Sequence, residues 1–265
     1  MFKEERQEYI KKILLEKKQI NVQELSSLLN VSVVTIRGDL RELEHTGFLT
    51  RTHGGAMINQ KVLQDEQTKG FIAGPTIPYD KRKVLIGDVA AQFISDDEWV
   101  FLGSGTTVYY VARALLNRNS LNVLTNNLLA AYELTKNPFA NVMMTGGTLS
   151  HSTYNLGGEI FESTLQPITI SKAFISLIGI DLNSAYTVST SGELNVFKVI
   201  RSISKELFII VDSSKFDKTG FIKVGGLLEA DAVITDTLPP QKYIDYYAEH
   251  QIPIYTPDSF GNKIS

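Results

Sequence analysis

The sequence predicts an α/β chain in two parts. A winged helix-turn-helix domain spans residues 1–57, an α/β domain spans residues 79–265, and residues 58–78 form a linker between them. Two observations carry this reading. As far as Gly47, apolar residues recur at helical spacing in three stretches separated by capping residues, and a short alternating segment ending in paired glycines follows. From Tyr79 onward, short apolar runs alternate with amphipathic stretches, the pattern of βαβ units around a largely parallel sheet. With 265 residues and 43% hydrophobic content the chain can bury a sizeable core.

The first helix is expected over Glu4–Glu16, with Tyr9, Ile10, Ile13 and Leu14 at helical spacing, and Gln19-Ile20 as a connector. Asn21 is a good N-cap for a second helix with Val22, Leu25, Leu28 and Leu29 on one face. Asn30 tolerates the left-handed turn between helices. Ser32 then caps a third helix that buries Ile36, Leu40 and Leu43 and ends at Thr46-Gly47. Phe48–Gly55 alternates and ends in glycines, as a β-wing does. The linker is polar, carries Gly70, Gly74, Pro75 and Pro78, and leaves room for local structure around Phe71-Ile72.

In the second part, strands are expected at Trp99–Leu102, Asn122–Thr125, Val142–Thr145, Ala173–Ile178, Leu207–Val211, Ala232–Thr235 and Ile252–Tyr255. Helical patterns lie between most of them, at Val84–Phe93, Thr107–Leu116, Asn127–Leu134, Leu194–Ile203 and Gln241–Glu249.

Composition excludes several classes of chemistry. The chain has no cysteine, hence no disulfide, cysteine nucleophile or thiolate metal site, and its four histidines are scattered. No structural metal and no cofactor are expected. No apolar run approaches the ~20 residues of a membrane span, and Met1–Arg6 lacks the apolar core of a signal peptide. A cytoplasmic protein fits these features. Net charge is −3; residues 1–57 hold nine Lys/Arg against eight Asp/Glu, and the remainder 17 against 21. The asymmetry has the sign of an N-terminal nucleic-acid-binding domain but is small. The arrangement of residues must carry the case.

With Ile36, Leu40 and Leu43 turned inward, the third helix presents Val34, Thr35, Arg37, Gly38 and Arg41 outward. A helix so presented fits the major groove of DNA. Arg37 can pair with guanine or grip a phosphate, Ser32 and Thr35 can donate to phosphates, and Arg51 and His53 on the wing would meet the flanking backbone. The same spacing also occurs in protein-interaction domains, where Val33 and Val34 would form a contact patch.

Thr35-Ile36-Arg37-Gly38-Asp39-Leu40, with Leu43-Glu44, Gly47, Leu49-Thr50-Arg51 and His53-Gly54-Gly55-Ala56, closely resembles the DeoR family of bacterial regulators. The family usually has a second arginine where this chain has Gly38. A glycine there costs the helix about 1 kcal/mol relative to alanine.

Leu102-Gly103-Ser104-Gly105-Thr106-Thr107 follows the expected strand Trp99–Leu102 and opens a helix. Glycines let the backbone approach an anion, a helix N-terminus presents free N–H groups, and Ser104, Thr106 and Thr107 add hydroxyl donors. The Walker ending is absent, which argues against a nucleoside triphosphate. Polar turns at other strand ends share this rim: Thr125-Asn126-Asn127, Thr145-Gly146-Gly147-Thr148, Gly179-Ile180-Asp181 and Asp212–Phe216. Ligands of open α/β sheets bind outside the carboxyl ends of strands; helix capping accounts equally well for Asn126 or Ser213.

The DeoR resemblance extends through Ser104-Gly105-Thr106-Thr107, Thr125-Asn126, Gly146-Gly147, Gly158, Gly179-Ile180-Asp181, Glu193 and Asp212–Phe216. It implies a second domain similar to ribose-5-phosphate isomerase and the coenzyme A transferase fold, and a phosphorylated sugar as effector. The Gly103–Thr107 loop would hold the phosphate, and Asp181, Glu193 and Lys215 would face the sugar, with Asn126 and Gly147 on the same rim. The chain departs from the family at Ser176-Leu177-Ile178, where a small pair is usual, and at Phe197, where a polar residue is usual, with Lys198 next.

The resemblance thus implies a repressor of a carbohydrate-metabolism operon that binds double-stranded operator DNA as a homodimer or higher even oligomer. A sugar-phosphate isomerase-like enzyme using Asp181, Glu193 and Lys215 is the rival reading. An interaction adaptor is a third. The winged helix disfavours the enzyme.

Overall fold

The structure, a computed structural model, describes residues 3–59, 62 and 77–260. The chain divides into two compact units, Met1–Thr76 and Ile77–Ser265. Of the expected linker, residues 60–61 and 63–76, with Phe71-Ile72 among them, lie outside the described residues.

The first unit runs α1 (Lys3–Lys17), β1 (Gln19–Asn21), α2 (Val22–Leu29), α3 (Val33–His45), β2 (Leu49–Arg51) and β3 (Gly55–Ile58). Its helix ends follow the capping logic of the sequence. Asn21 Oδ1 accepts from Gln23 N, Asn30 takes the left-handed conformation at φ 51°, and Ser32 Oγ accepts from Thr35 N. Ile10, Leu14, Leu25, Ile36, Leu40 and Leu49 form the fully buried centre. Two details differ from the sequence reading. Leu28 is exposed, because α2 turns only Val22, Leu25 and Leu29 inward. Gln19-Ile20 is part of a strand: β1 pairs with β3 antiparallel, making a three-stranded sheet in the order β1-β3-β2. The approach is so close at Gly55 that a Cβ there would lie 2.0 Å from the Ile20 carbonyl oxygen. Arg6 clamps α1 to α3: its Nε and Nη2 donate to the two oxygens of buried Asp39 at 2.5 and 3.0 Å. Deleting one partner of such a buried pair costs about 3–5 kcal/mol.

The second unit is built on seven parallel strands in the order β15-β14-β12-β9-β4-β5-β6: β4 (Trp99–Leu102), β5 (Leu121–Thr125), β6 (Ala140–Met144), β9 (Ile170–Ile175), β12 (Ser204–Ile210), β14 (Ala232–Ile234) and β15 (Ile254–Tyr255). Adjacent residues of one strand feed opposite cores. Phe101, Ala173, Ile175, Leu207 and Ile209 enter one; Val100, Leu102, Phe174, Phe208 and Ile210 enter the other. α4 (Lys81–Ala91), α5 (Thr106–Ala114) and α6 (Leu128–Leu134) cover the second core, and α7 (Glu159–Leu165), α8 (Ser191–Ile203) and α9 (Gln241–Glu249) cover the first.

Two small sheets complete the unit. The hairpin β7 (Thr148–Leu149) and β8 (Leu156–Gly157) follows β6; β10 (Gly179–Asp181), β11 (Ala185–Val188) and β13 (Ile222–Gly225) form an antiparallel trio. The chain winds outward from β4 through β5 to β6, then returns to β9 on the other side of β4. The loops after β4 and β9 therefore flank the topological switch point, where open α/β sheets bind ligands. Among the described residues no helix is long and apolar enough to cross a membrane.

Candidate nucleic-acid interface and ligand cleft

The residues of α3 expected to meet DNA are exposed, namely Ser32 at its cap, Val34, Arg37, Gly38 and Arg41, with Thr35 half-buried; Glu42 and His45 are exposed as well. Val34 is 77% exposed, an apolar side chain presented to solvent as a thymine methyl contact requires. Arg37 and Arg41 make no hydrogen bond or ion pair among the described residues, so both cations are available to an incoming acceptor. Ser32 and Thr35 are partly occupied with each other: their hydroxyls lie 2.8 Å apart, and Ser32 also caps the helix. A Cβ on Gly38 would meet nothing within 4 Å. Packing inside the protein therefore gives no reason for a glycine at that position.

The wing is fixed to the helices at two places. Val22 N donates to the Gly54 carbonyl at 2.9 Å. Arg51 donates twice to Glu44, through its backbone N–H to Oε1 at 3.0 Å and through Nε to Oε2 at 2.7 Å. Those bonds hold the Glu44 carboxyl below its ordinary pKa, the backbone donor contributing most. Arg37, Glu44, Arg51 and His53 thus border one concave surface between α3 and the wing, closed on its third side by Asn21 and Gln23 at the start of α2. The eight residues expected to meet DNA all lie on α3, its cap or the wing, and seven of them are exposed.

In the second unit, Ser104, Gly105, Thr106, Asn126 and Glu193 come together around two adjoining clefts of about 220 and 320 Å³, the smaller end of the small-molecule range. Gly105 takes φ +95° and is the N-cap of α5, but supplies no side-chain cap. The N–H groups of that first turn are therefore left for another acceptor. Asn127, fully buried, fixes the loop from below: its Nδ2 donates to the Gly103 and Gly105 carbonyls while its Oδ1 caps α6. Lys83 reaches in from α4, its Nζ donating to Thr106 Oγ1 at 2.6 Å. Ser176, Leu177 and Ile178, in the loop after β9, form the facing wall. Glu193 lines both clefts and closes a capping box at α8, its Oε2 accepting from Ser189 N, Thr190 N and the Thr190 hydroxyl.

The other expected residues lie elsewhere in the unit. Gly103 is packed beneath the loop, where a Cβ would come 3.1 Å from the Phe174 carbonyl oxygen, and Thr107 is buried. Gly147 serves the β7–β8 hairpin: its φ is +108°, and a Cβ would be 2.4 Å from the Gly157 oxygen. Asp181 turns the chain between β10 and β11, accepting from Asn183 N and Ser184 N, the bonds that lower its pKa. Lys215 sits in the one-turn helix Ser213–Lys215 after β12. Phe197 is buried in the core against Gly225, while Lys198 is exposed.

Lys83, which bonds the lining residue Thr106, and Asn155, which lines both clefts, were not singled out from sequence. Lys83 lies in the first turn of α4 and reads locally as one more solvated cation; only the packing of α4 on α5 brings it to Thr106. Asn155 belongs to the polar run Ser150–Asn155, which carries no periodic signal.

Known proteins place both units. Residues 6–62 match the model of the DeoR-like helix-turn-helix domain, and residues 80–237 that of the DeoR C terminal sensor domain. The chain is 31% identical over 247 residues to the HTH-type transcriptional repressor CsqR of Escherichia coli, covering 92% of each protein. It is 34% identical over 238 residues to the lactose phosphotransferase system repressor of Streptococcus mutans, covering 89% of this chain and 93% of that one. It is also similar in part to ribose 5-phosphate isomerase A of Neisseria gonorrhoeae, with TM-score 0.37 and 15% identity over 51% of this chain and 52% of that one, too distant to carry a functional reading. A helix-turn-helix unit and a sensor unit, matched along nearly their whole length by named repressors, make this chain a member of the DeoR family of DNA-binding transcriptional regulators rather than an enzyme.

Proposed function

We propose that this chain represses a carbohydrate-metabolism operon and releases its operator when a phosphorylated sugar occupies the cleft beside Gly105. Residues 1–57 read the DNA, 58–78 link, and 79–265 bind the effector and assemble the oligomer. The observation that carries the effector reading is Lys83 Nζ at 2.6 Å from Thr106 Oγ1, at a helix N-terminus that no side chain caps. An ammonium group, free backbone N–H donors and a glycine-lined approach are what a phosphate dianion requires. Ser104, Gly105, Thr106 and Lys83 hold the phosphate; Asn126 and Glu193 face the rest of the molecule. Repressors named for sugar uptake among the relatives support a sugar as that molecule.

At the DNA, Arg37, Val34 and Gly38 meet base edges; Ser32, Thr35, Arg41, Arg51 and His53 meet the backbone. Two copies of the chain, in the cytoplasm, read half-sites about one DNA turn apart. The effector acts by linkage, through a differential affinity for DNA-competent and DNA-incompetent states of about 1–3 kcal/mol. Fluorescence anisotropy on a labelled operator tests the whole reading: a hexose phosphate should release the DNA and its unphosphorylated parent should not. Release by the parent sugar at equal concentration, or by no sugar phosphate at all, overturns it.

A further inference from the structure

Strand β6 ends the seven-stranded sheet, and among the described residues no strand pairs with its outer edge. Thr145 N donates to the Thr125 carbonyl at 3.1 Å. The alternation of a strand therefore turns the main-chain groups of Met143 and Thr145 toward β5, and those of Val142 and Met144 away from the sheet. Among the described residues the outward N–H and C=O groups of Val142 and Met144 have no hydrogen-bond partner. Edge strands are ordinarily guarded by a charge, a proline, a bulge or mere shortness. At the opposite edge β15 is only two residues long. β6 runs five residues in unbroken register with β5, and Pro138 stands ahead of it rather than in it. No Asp, Glu, Lys or Arg occurs from Asn137 to Gly158, although 21% of the chain is charged.

Apolar side chains flank this edge. Ala140 and Val142 pack on the second core, so Met143 stands on the other face, the one covered by α7. Met143 is 45% exposed, Phe139 just ahead of the strand 62%, and Ile160 on α7 63%. Ile160 lies at the carboxyl end of β6, where a Cβ on Gly146 would come 3.7 Å from its side chain.

An unguarded edge flanked in this way fits another strand that is uncharged and apolar at the same spacing, and β6 itself meets that description. A charged strand would repel its own copy across a twofold axis; this one does not. We propose that β6 is the interface between two copies of the chain, paired antiparallel about a twofold axis at Met143, so that two seven-stranded sheets become one. This rests on the reading that the second unit assembles the oligomer, and names the surface. Val142 of each copy exchanges main-chain hydrogen bonds with Met144 of the other, which satisfies the groups left unpaired. Met143 meets its own counterpart. Phe139 of each copy arrives at the strand end where Ile160 of the other stands. The pairing closes both edges, so assembly through this face stops at two.

The chain has no cysteine, so a single introduced thiol reports the geometry. Residues facing each other in a non-hydrogen-bonded antiparallel pair have Cα atoms about 4.5 Å apart, within the roughly 4.4–6.8 Å that a disulfide spans. Full-length Met143→Cys, oxidised with copper phenanthroline, should therefore run as a covalent dimer, whereas Leu238→Cys, exposed on a loop elsewhere, should not. Met143→Lys should halve the mass of the assembly in sedimentation equilibrium, and mixing it with Met143→Glu should restore that mass, which also reports that both variants are folded. Three results overturn the β6 interface while leaving oligomerisation through another face in place. They are crosslinking of Met143→Cys no faster than of Leu238→Cys, a Met143→Lys assembly of wild-type mass, and a Lys–Glu mixture that does not reassemble. If wild type sediments as a monomer, the oligomer reading falls and this interface with it.

Discussion

Glu44 on α3 holds Arg51 on the wing by two hydrogen bonds, at 3.0 Å to the backbone N–H and 2.7 Å to Nε. The carboxylate therefore fixes the wing's approach to the recognition helix. It also places a negative charge on the concave surface that would face DNA. These effects have opposite signs for binding. Glu44→Ala should raise affinity for non-specific DNA and steepen its salt dependence, because Arg51 is freed and an anion removed. Discrimination for the operator should fall, because the wing loses one of its two anchors, keeping the Val22–Gly54 bond alone. Anisotropy titrations over a range of salt on operator and scrambled duplexes check this; unchanged discrimination would show that the clamp does not shape recognition.

The same carboxylate contributes to pH dependence. Hydrogen bonds hold Glu42, Glu44, Asp80, Asp181 and Asp217 below their ordinary values. A group depressed in the folded state stabilises it above its unfolded pKa and loses that contribution as pH falls through its folded pKa. Asp88, raised by burial on α4, acts in the opposite sense. Stability should hold at neutral pH and decline below about pH 4.5, the ordinary value of Glu44. Urea melts between pH 7 and pH 3 measure it. Glu44→Gln should flatten the decline in the first unit.

Arg37 and Arg51 should separate base reading from backbone contact. Arg37 is exposed on α3 with no partner among the described residues, so Arg37→Ala leaves the fold untouched. It should lose about 1–3 kcal/mol of operator affinity and little non-specific affinity. Arg51→Ala should weaken all sequences alike and reduce the salt slope by about one phosphate contact. Identical footprints for wild type and Arg37→Ala would remove Arg37 from base recognition.

Gly38 gives a cleaner test, since a Cβ there meets nothing in the protein. Gly38→Ala should stabilise α3 by about 1 kcal/mol. If the glycine serves close approach to DNA, operator affinity should fall although the protein melts higher. A variant that is both more stable and equally tight would show that Gly38 has no part in binding.

What was legible in the sequence was local. Asn21, Asn30 and Ser32 announce helix ends because caps act within three residues of themselves, and the alternation from β4 to β15 reads directly from apolar runs that feed two cores. Contacts between distant segments were not legible. Strand β1 exists because Gly55 lets β3 approach Ile20. The run Ala173–Ile178 leaves the sheet after Ile175, so that Ser176–Ile178 faces the cleft. Polar residues at strand ends were readable as a rim, but not which of them turn inward. Ser104, Thr106 and Asn126 line the cleft, whereas Asp181 is spent on its own turn and Thr107 on the core. Lys83 has no local mark at all, because its role depends on one helix packing beside another.

Lys83, Thr106 and Thr107 therefore support a prediction that separates a binding loop from a merely structural one. Thr106 Oγ1 sits in the cleft 2.6 Å from Lys83 Nζ; Thr107, its neighbour, is 3% exposed. Valine is isosteric with threonine and keeps the helix, so each substitution removes only a hydroxyl. Thr106→Val should weaken phosphate binding by about 1–3 kcal/mol, as expected for a lost hydrogen bond to a charged group. Lys83→Met, which keeps the aliphatic stem but removes the charge, should weaken it at least as much. Thr107→Val should do nothing to phosphate binding, because its hydroxyl does not reach the cleft. Operator affinity without effector should be unchanged in all three variants, since the substitutions lie outside the DNA-binding unit. Lys83→Met and Thr106→Val should then be repressors that sugar phosphate no longer releases. Calorimetry with phosphate and anisotropy on the operator read the two properties separately. If Thr107→Val is as defective as Thr106→Val, the loop acts through its fold and not its hydroxyls. If Lys83→Met responds like wild type, the ammonium group is not a phosphate ligand.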